Sequence, residues 1–131
     1  MFILDTNTLI HFFKDQGEVK SNLLSHSPQE IGIPTIVVYE LFVGIEKSPF
    51  SGKKSKQLHK LINTVKLLPF DLSASIHAAK IRVHLESIGM RIGPMDTLIA
   101  AIARANQGVL VSHNTKEILR VPDLLLEDWY I

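Results

Sequence analysis

Residues 2–13 read FILDTNTLIHFF, and this stretch decides the fold class that the sequence predicts. Phe2–Leu4 is a short apolar run, for which a strand buried in a sheet is the simplest structure. Asp5 and Thr6 then supply helix-capping side chains ahead of the apolar segment LIHFF, so we interpret the stretch as strand, turn and helix. Asp5 would therefore stand at the carboxyl end of a buried strand, which is where sites form in parallel sheets.

The alternation of short apolar runs and helical patterns continues along the chain. Further strands are predicted at residues 30–33, 65–70, 109–111 and 124–126. Helices are predicted at residues 35–48, 53–65, 73–88, 95–106 and 114–119. Strands that alternate with helices predict an α/β fold, with a parallel sheet covered by helices on both faces. The length of 131 residues is close to that of one domain, so we expect one domain over residues 1–131.

Single residues refine several of these elements. Thr35 is a candidate N-cap for its helix, and Pro69 limits its strand to an edge or an end of the sheet. The helix at 73–88 carries two apolar stripes, so we expect it to be covered on two sides. Gly89 should end that helix, and Trp129 should pack the C-terminal segment against the rest of the chain. The stripes are Ile76, Ala79 and Val83 on one side, and Ala78, Ile81, Leu85 and Ile88 on the other.

Basic and acidic residues nearly balance, 14 against 13, so the net charge of +1 gives no overall attraction to nucleic acid. Any RNA contact must come from a local patch. The best candidate is 52–60, GKKSKQLHK, for which a solvated helix face is the simpler interpretation.

Cysteine is absent, which excludes disulfides and thiolate metal sites. Neither a signal peptide nor a membrane-spanning apolar run is recognisable, so we expect a soluble, cytoplasmic protein.

Three carboxylates stand in apolar surroundings. Asp5 follows a buried strand, Glu40 interrupts an apolar helix, and Asp96 lies in the first turn of another. Each has an ordinary explanation by itself: a helix cap, a solvent-facing side chain, and a partner of the helix dipole. Brought together, two carboxylates about 4 Å apart repel by roughly 4 kcal/mol at an effective dielectric of about 20. A fold that gathers all three needs a cation, and oxygen ligands favour Mg²⁺ or Mn²⁺.

Four segments of the chain, taken in order, carry a resemblance to a known family. They are DTNTLI at 5–10, VVYELFVGIEKS at 37–48, IGPMDTLIAAIA at 92–103 and LVSHNTKE at 110–117. The ordered set resembles the PIN domains, specifically the VapC-type toxins, and covers nearly the whole chain. The tail RVPDLLLEDW at 120–129 is also similar to the C-terminal segment of that family. The resemblance implies a three-layer α/β/α sandwich with a mainly parallel central sheet.

The resemblance also implies an activity, a cofactor and partners. It implies an Mg²⁺- or Mn²⁺-dependent endoribonuclease that cleaves a structured RNA such as tRNA. It further implies a toxin that forms a homodimer and is held in check by a cognate VapB-like antitoxin, whose tail can place a basic side chain in the acidic pocket. By position, Asp5 and Asp96 would bind the metal, and Glu40 would complete the cluster. Thr6 or Asn7 would support it by hydrogen bonds.

The chain departs from one form of the family pattern after the strand VLV. Many PIN domains have a fourth acid there, whereas this chain has Asn114, with Glu117 one helical turn later. Because VapC-type sequences often have this NTxE arrangement, it does not indicate inactivation. Asn114 could orient a water and Glu117 could supply the fourth charge. Ser112 or Thr115 could bind a phosphate or a metal-bound water.

Other interpretations stay open at this stage. DTNT is similar to the DxDx(T/V) motif of aspartyl phosphatases, but Asn7 stands where those enzymes need a second acid. A catalytically inactive PIN fold could instead serve as an RNA- or protein-binding module, and Asn114 is the only hint of it. His113 falls near the predicted active end, although an ordinary loop histidine is the simpler interpretation. The apolar segment 41–45 is a hypothetical contact for a dimer partner or an antitoxin.

Overall fold

Five strands and seven helices make up the computed structural model, which describes residues 1–131. The strands are β1 Phe2–Leu4, β2 Ile31–Pro34, β3 Lys66–Leu68, β4 Val109–Val111 and β5 Leu125–Glu127. The helices are α1 Thr6–Phe13, α2 Val19–Leu24, α3 Thr35–Glu46, α4 Ser51–Ile62, α5 Leu72–Ser87, α6 Pro94–Ala105 and α7 Thr115–Ile118. Every predicted strand and helix is present, with ends shifted by a few residues. The helix α2 was not predicted; it is only six residues long and buries only Val19 and Leu23.

The five strands form one sheet in the order β3-β2-β1-β4-β5, and every neighbouring pair is parallel. The prediction of a mainly parallel sheet is therefore confirmed. β1 lies at the centre, which explains why the chain begins with so apolar a run. β3 lies at an edge, as Pro69 requires, because a proline nitrogen cannot donate to a neighbouring strand.

The order of the strands places helices on both faces of the sheet. The helices α1 to α4 accompany the steps from β1 to β2 and from β2 to β3, toward one edge. The pair α5 and α6 accompanies the return from β3 to β4, in the opposite direction. Right-handed crossovers then put the two groups on opposite faces, which is the predicted three-layer α/β/α architecture. Because the chain leaves β1 and β4 in opposite directions, a crevice opens at their carboxyl ends.

The register between β1 and β4 brings two candidate residues side by side. Leu4 pairs with Val111 at the ends of the two strands, so Asp5 and Ser112 each come directly after the same residue pair. The close approach of these strands depends on Gly108, since a Cβ there would lie 2.5 Å from the Cδ1 atom of Ile3. A side chain at residue 108 would therefore push apart the two strands whose ends carry the site.

Two local predictions were wrong. Thr35 does not cap α3: it is the first helical residue, and the N-cap is Pro34, whose extended backbone joins β2 directly to the helix. The helix α5 is covered on one side instead of two, since Ala78, Ile81 and Leu85 are buried. The other stripe faces solvent: Ile76 is 49% exposed, Val83 is 67% exposed, and Ala79 is exposed as well. Ile88, the last member of the buried stripe, follows the end of the helix and is 48% exposed.

The C-terminal segment packs against α2. Trp129 is only 5% exposed, as predicted, and its backbone oxygen accepts a hydrogen bond from Asn22 Nδ2 at 2.9 Å. Its ring stacks on His26, with centroids 5.1 Å apart. The short helix α2 is therefore held by the tail rather than by a stripe of its own. None of the helices combines the length and hydropathy needed to cross a membrane.

Candidate active site

Asp5 lies at the carboxyl end of β1 and is only 6% exposed. Its Oδ1 atom accepts a hydrogen bond of 2.9 Å from the backbone nitrogen of Thr8, so it caps α1. The Thr8 hydroxyl in turn donates to the Val111 oxygen at 3.0 Å, which ties the start of α1 to the end of β4. The cap uses one carboxylate oxygen of Asp5, and the chain donates no side-chain or backbone hydrogen bond to the other.

Glu40 enters the same region from the middle of α3. Its side chain is partly buried, and its Oε1 atom accepts a hydrogen bond of 2.6 Å from the Thr6 hydroxyl. Because Thr6 is the first residue of α1, this bond joins the helix that follows β1 to the helix that follows β2. The contact fixes the Glu40 carboxylate next to the end of β1, instead of leaving it in solvent.

Asp96 arrives from the other face of the sheet, in the first turn of α6. Pro94 occupies the first position of that helix, where its missing N–H has no helical partner to lose. The Thr97 hydroxyl donates to the Gly93 oxygen at 3.1 Å and holds the turn closed. Asp96 itself is half-buried, and its carboxyl accepts no hydrogen bond from the chain. A half-buried carboxylate without a donor is costly unless a cation compensates it.

A polar group follows β4 beside these acids. Ser112 is fully buried, and its hydroxyl accepts a hydrogen bond of 3.1 Å from the Asn114 backbone nitrogen. The Asn114 amide donates to Glu117 Oε2, also at 3.1 Å, so the two residues of the NTxE segment form one unit. Asn114 therefore orients Glu117, and Glu117 supplies the negative charge in this part of the site.

The charges of the other three acids act on the Asp96 carboxyl. Burial raises the pKa of the Asp96 carboxyl above its usual value, and the charges of Asp5, Glu40 and Glu117 each raise it further. No basic side chain offsets them, since no lysine or arginine forms an ion pair with any of the four. The site therefore concentrates uncompensated negative charge at the carboxyl edge of the sheet.

The donor set fits a hard divalent cation. All of its side chains offer oxygen, the ligand atom that Mg²⁺ and Mn²⁺ prefer, and the Asp96 carboxyl has no other partner. However, no three acidic, histidine or cysteine side chains lie close enough together to form a complete set of metal ligands. The fit therefore rests on the oxygen chemistry of the donors and on the Asp96 carboxyl, which has no partner in the chain.

Two candidate residues do not join the cluster. Asn7 is exposed and its side chain forms no hydrogen bond, so of Thr6 and Asn7 only Thr6 reaches an acid. His113 turns toward the C-terminal tail, where its Nδ1 atom lies 2.8 Å from Asp128 Oδ2 and its ring stacks on Tyr130. These contacts agree with the simpler interpretation of His113 as a loop histidine.

Comparison with known proteins assigns the chain and its fold to one family. The family model described as the PIN domain matches residues 2–124. The chain therefore belongs to the PIN-domain family, and its relatives are VapC-type members of it. The tRNA(fMet)-specific endonuclease VapC of Salmonella typhimurium is 33% identical over 128 residues, which cover 98% of this chain and 97% of that protein.

Solved structures agree with this assignment. The crystal structure of VapBC2 from Rickettsia felis, bound to a DNA fragment from its promoter, contains a chain with a TM-score of 0.90 and 31% identity, covering 98% of both chains. The DNA-bound VapBC from Salmonella typhimurium gives a TM-score of 0.91 at 32% identity, covering 98% of this chain and 97% of that one. The similarity extends over the full sheet and both helical layers.

Proposed function

We propose that this protein is a metal-dependent endoribonuclease and the toxin of a toxin–antitoxin pair. The observation that carries the proposal is the gathering of Asp5, Glu40, Asp96 and Glu117 at one edge of the sheet, where the pKa of Asp96 is raised by the other three. Similarity over 98% of the chain to a tRNA(fMet)-specific endonuclease supports the same reaction. The substrate is then a structured RNA, and tRNA is the first to test. The protein would act in the cytoplasm, where tRNA is found.

The roles of the acids follow from their contacts. Asp5 and Asp96 would hold an Mg²⁺ or Mn²⁺ ion, because each has carboxylate oxygen free of donors from the chain, and Glu40 would complete the set. When bound, such an ion can activate a water and stabilise the charge of a phosphodiester transition state. Thr6 holds Glu40 in position through its 2.6 Å hydrogen bond. Asn114 orients Glu117 at the opposite side of the site.

A VapB-like antitoxin is the proposed partner, since the neighbouring structures from Rickettsia felis and Salmonella typhimurium are VapBC complexes. In the segment 41–45, Leu41 and Ile45 are buried at 8% exposure, whereas Val43 is 38% exposed. One helical turn before it, Tyr39 is 57% exposed. Val43 in the segment and Tyr39 before it are therefore the large side chains of α3 that are available to an antitoxin or to a second copy in a homodimer.

The test is a cleavage assay with purified protein and total tRNA in Mg²⁺ or Mn²⁺ buffer, with EDTA and Asp5→Asn as controls. We expect discrete fragments on a denaturing gel that disappear in both controls. Cleavage that survives Asp5→Asn would assign the activity to a contaminant or to another site. If tRNA is bound but never cleaved under any metal condition, the chain is a binding module and the endoribonuclease proposal fails.

A further inference from the structure

Two adjoining cavities form a groove that begins at Glu40 and runs away from the acids. The first, of about 360 Å³, lies between α1, α3 and α4 and includes Glu40 in its wall. The second, of about 380 Å³, continues between α1 and α4 and reaches Thr64. Phe13 and Gln57 line both cavities, so the two lie next to each other, and together we treat them as one groove.

Four lysines line this groove, and we call it the lysine groove. Lys14 and Lys54 lie in the wall of the first cavity, and Lys20 and Lys60 in that of the second. All four are exposed, and none takes part in an ion pair. Glu40, at the end next to the proposed metal, is the only carboxylate in either wall. The groove is thus positively charged along its length and negatively charged only where it meets the acids.

The floor of the groove is apolar and partly aromatic. Leu41, Ile45 and Leu58 are buried beneath it, and the Phe13 ring, 36% exposed, lies where the two cavities meet. Lysines that follow a phosphate backbone, together with an exposed aromatic ring on which a base can stack, are the two elements of sequence-tolerant RNA binding. A purely structural role, in which the lysine stems only cover apolar surface, does not explain why four cations lie here without one acidic partner.

We propose that the lysine groove binds the backbone of the substrate RNA on one side of the bond that is cleaved. Lys14, Lys20, Lys54 and Lys60 bind phosphates of the strand and guide it, so that the next phosphate reaches the acids at Glu40. Charge complementarity favours an RNA backbone as the occupant, because four lysines without acidic partners match a run of phosphates. The inference rests on the proposed function for its occupant and extends it to the path of the RNA.

The test compares two pairs of lysines on the same helix. Lys54→Gln with Lys60→Gln removes two charges from the groove, whereas Lys53→Gln with Lys56→Gln removes two from α4 outside it. All four side chains are exposed, so both double variants should melt like the wild type. Binding of a labelled tRNA pool is measured as a function of salt, in an Asp5→Asn background that prevents cleavage. The kcat and KM for tRNA cleavage are measured separately, in proteins that keep Asp5.

We expect the groove pair to weaken tRNA binding by about tenfold. The plot of the logarithm of the association constant against the logarithm of the salt concentration should become less steep, by about 0.7 for each lysine removed. KM should rise while kcat changes little, because the lysines touch the substrate away from the reacting phosphate. The pair outside the groove should change the slope much less. Equal effects of the two pairs would overturn the proposal, as would a groove pair that alters capture of an antitoxin but not tRNA binding.

The binding and cleavage measurements separate this inference from the proposed function. Cleavage without any difference between the two lysine pairs would overturn the groove proposal and leave the nuclease proposal intact. Lysine-dependent binding without cleavage would support the groove and overturn the nuclease. Failure of the Asp5→Asn protein to bind tRNA at all would overturn the groove proposal.

Discussion

The ends of β1 and β3 have the same local design and different surroundings. Asp5 follows β1 and caps α1 by accepting a 2.9 Å hydrogen bond from Thr8; Asp71 follows β3 and caps α5 by accepting a 2.9 Å hydrogen bond from Ala74. Both have extended backbones at the N-cap position. Yet Asp5 lies at the centre of the sheet and is 6% exposed, whereas Asp71 follows an edge strand and faces solvent.

The difference teaches that an aspartate cap becomes part of a site only through its neighbours. The strand β1 is flanked by β2 and β4, so the chain segments after three adjacent strands meet beside Asp5. The strand β3 has a neighbour on one side only, so fewer chain segments meet beside Asp71. The same residue type in the same hydrogen-bonded turn therefore serves only as a cap in one place and as a proposed metal ligand in the other.

The largest expected effect comes from exchanging each of these aspartates for asparagine. Asn caps helices about as well as Asp, so both variants should fold. We expect Asp5→Asn to lower the rate of tRNA cleavage by about a hundredfold or more, because it removes an anionic ligand from the proposed metal. Asp71→Asn should stay within about twofold of the wild type. Comparable losses in the two variants would mean that the cap, and not the acidic cluster, controls activity.

A smaller effect should follow from the hydrogen bond that positions Glu40. Thr6→Val removes the hydroxyl that donates to Glu40 at 2.6 Å while keeping the size of the side chain. Residues that hold a metal ligand in place typically contribute about 10-fold to 100-fold, so we expect kcat to fall by about tenfold. Thr6→Ser keeps the hydroxyl and should restore most of the rate. If Thr6→Ser is as impaired as Thr6→Val, the methyl packing and not the hydrogen bond is responsible.

The smallest effect is on stability and depends on pH. Burial and three neighbouring acids raise the pKa of Asp96 in the folded protein, so its charged form opposes folding. The favourable contribution of Asp96 is complete below the unfolded pKa of about 3.9 and is lost as the pH rises through the folded pKa. At pH 7 in EDTA, Asp96→Asn should therefore raise the melting temperature by roughly 2 to 5 °C.

The same melting experiments contain their own controls. The gain from Asp96→Asn should vanish near pH 3, where the wild-type carboxyl is protonated in both states, and Asp71→Asn should give no comparable gain. Mg²⁺ should stabilise the wild type more than the Asp96→Asn variant, because the ion needs the charge that the substitution removes. A variant that melts below the wild type in EDTA at pH 7 would show that Asp96 is stabilised by its neighbours instead of destabilised.

Several features were predictable because they depend on local pattern. The strand at Phe2–Leu4, the helix opened by Pro94 and the edge position of the strand before Pro69 all follow from side-chain chemistry read along the chain. The second apolar stripe of α5 was misread, because Ile76 and Val83 have the spacing of a buried face and nothing in the chain covers them. The helix α2 was missed because the C-terminal tail, more than a hundred residues away in sequence, holds it.

By itself the sequence determined the strand–helix alternation, the identity of Asp5, Glu40 and Asp96 as candidates, and the family resemblance in four ordered segments. These depend on residue type and on short-range spacing. Only the tertiary structure decided that Thr6 and not Asn7 reaches an acid, that Asn114 orients Glu117, and that Lys14 and Lys20 join Lys54 and Lys60 along one groove. The bond between Asn114 and Glu117 spans only three residues, but it depends on the side-chain conformations that the folded site selects. The contact of Thr6 and the grouping of the four lysines join distant parts of the chain, and their geometry is set by the order of strands in the sheet and by helix packing, which spacing along the chain does not encode.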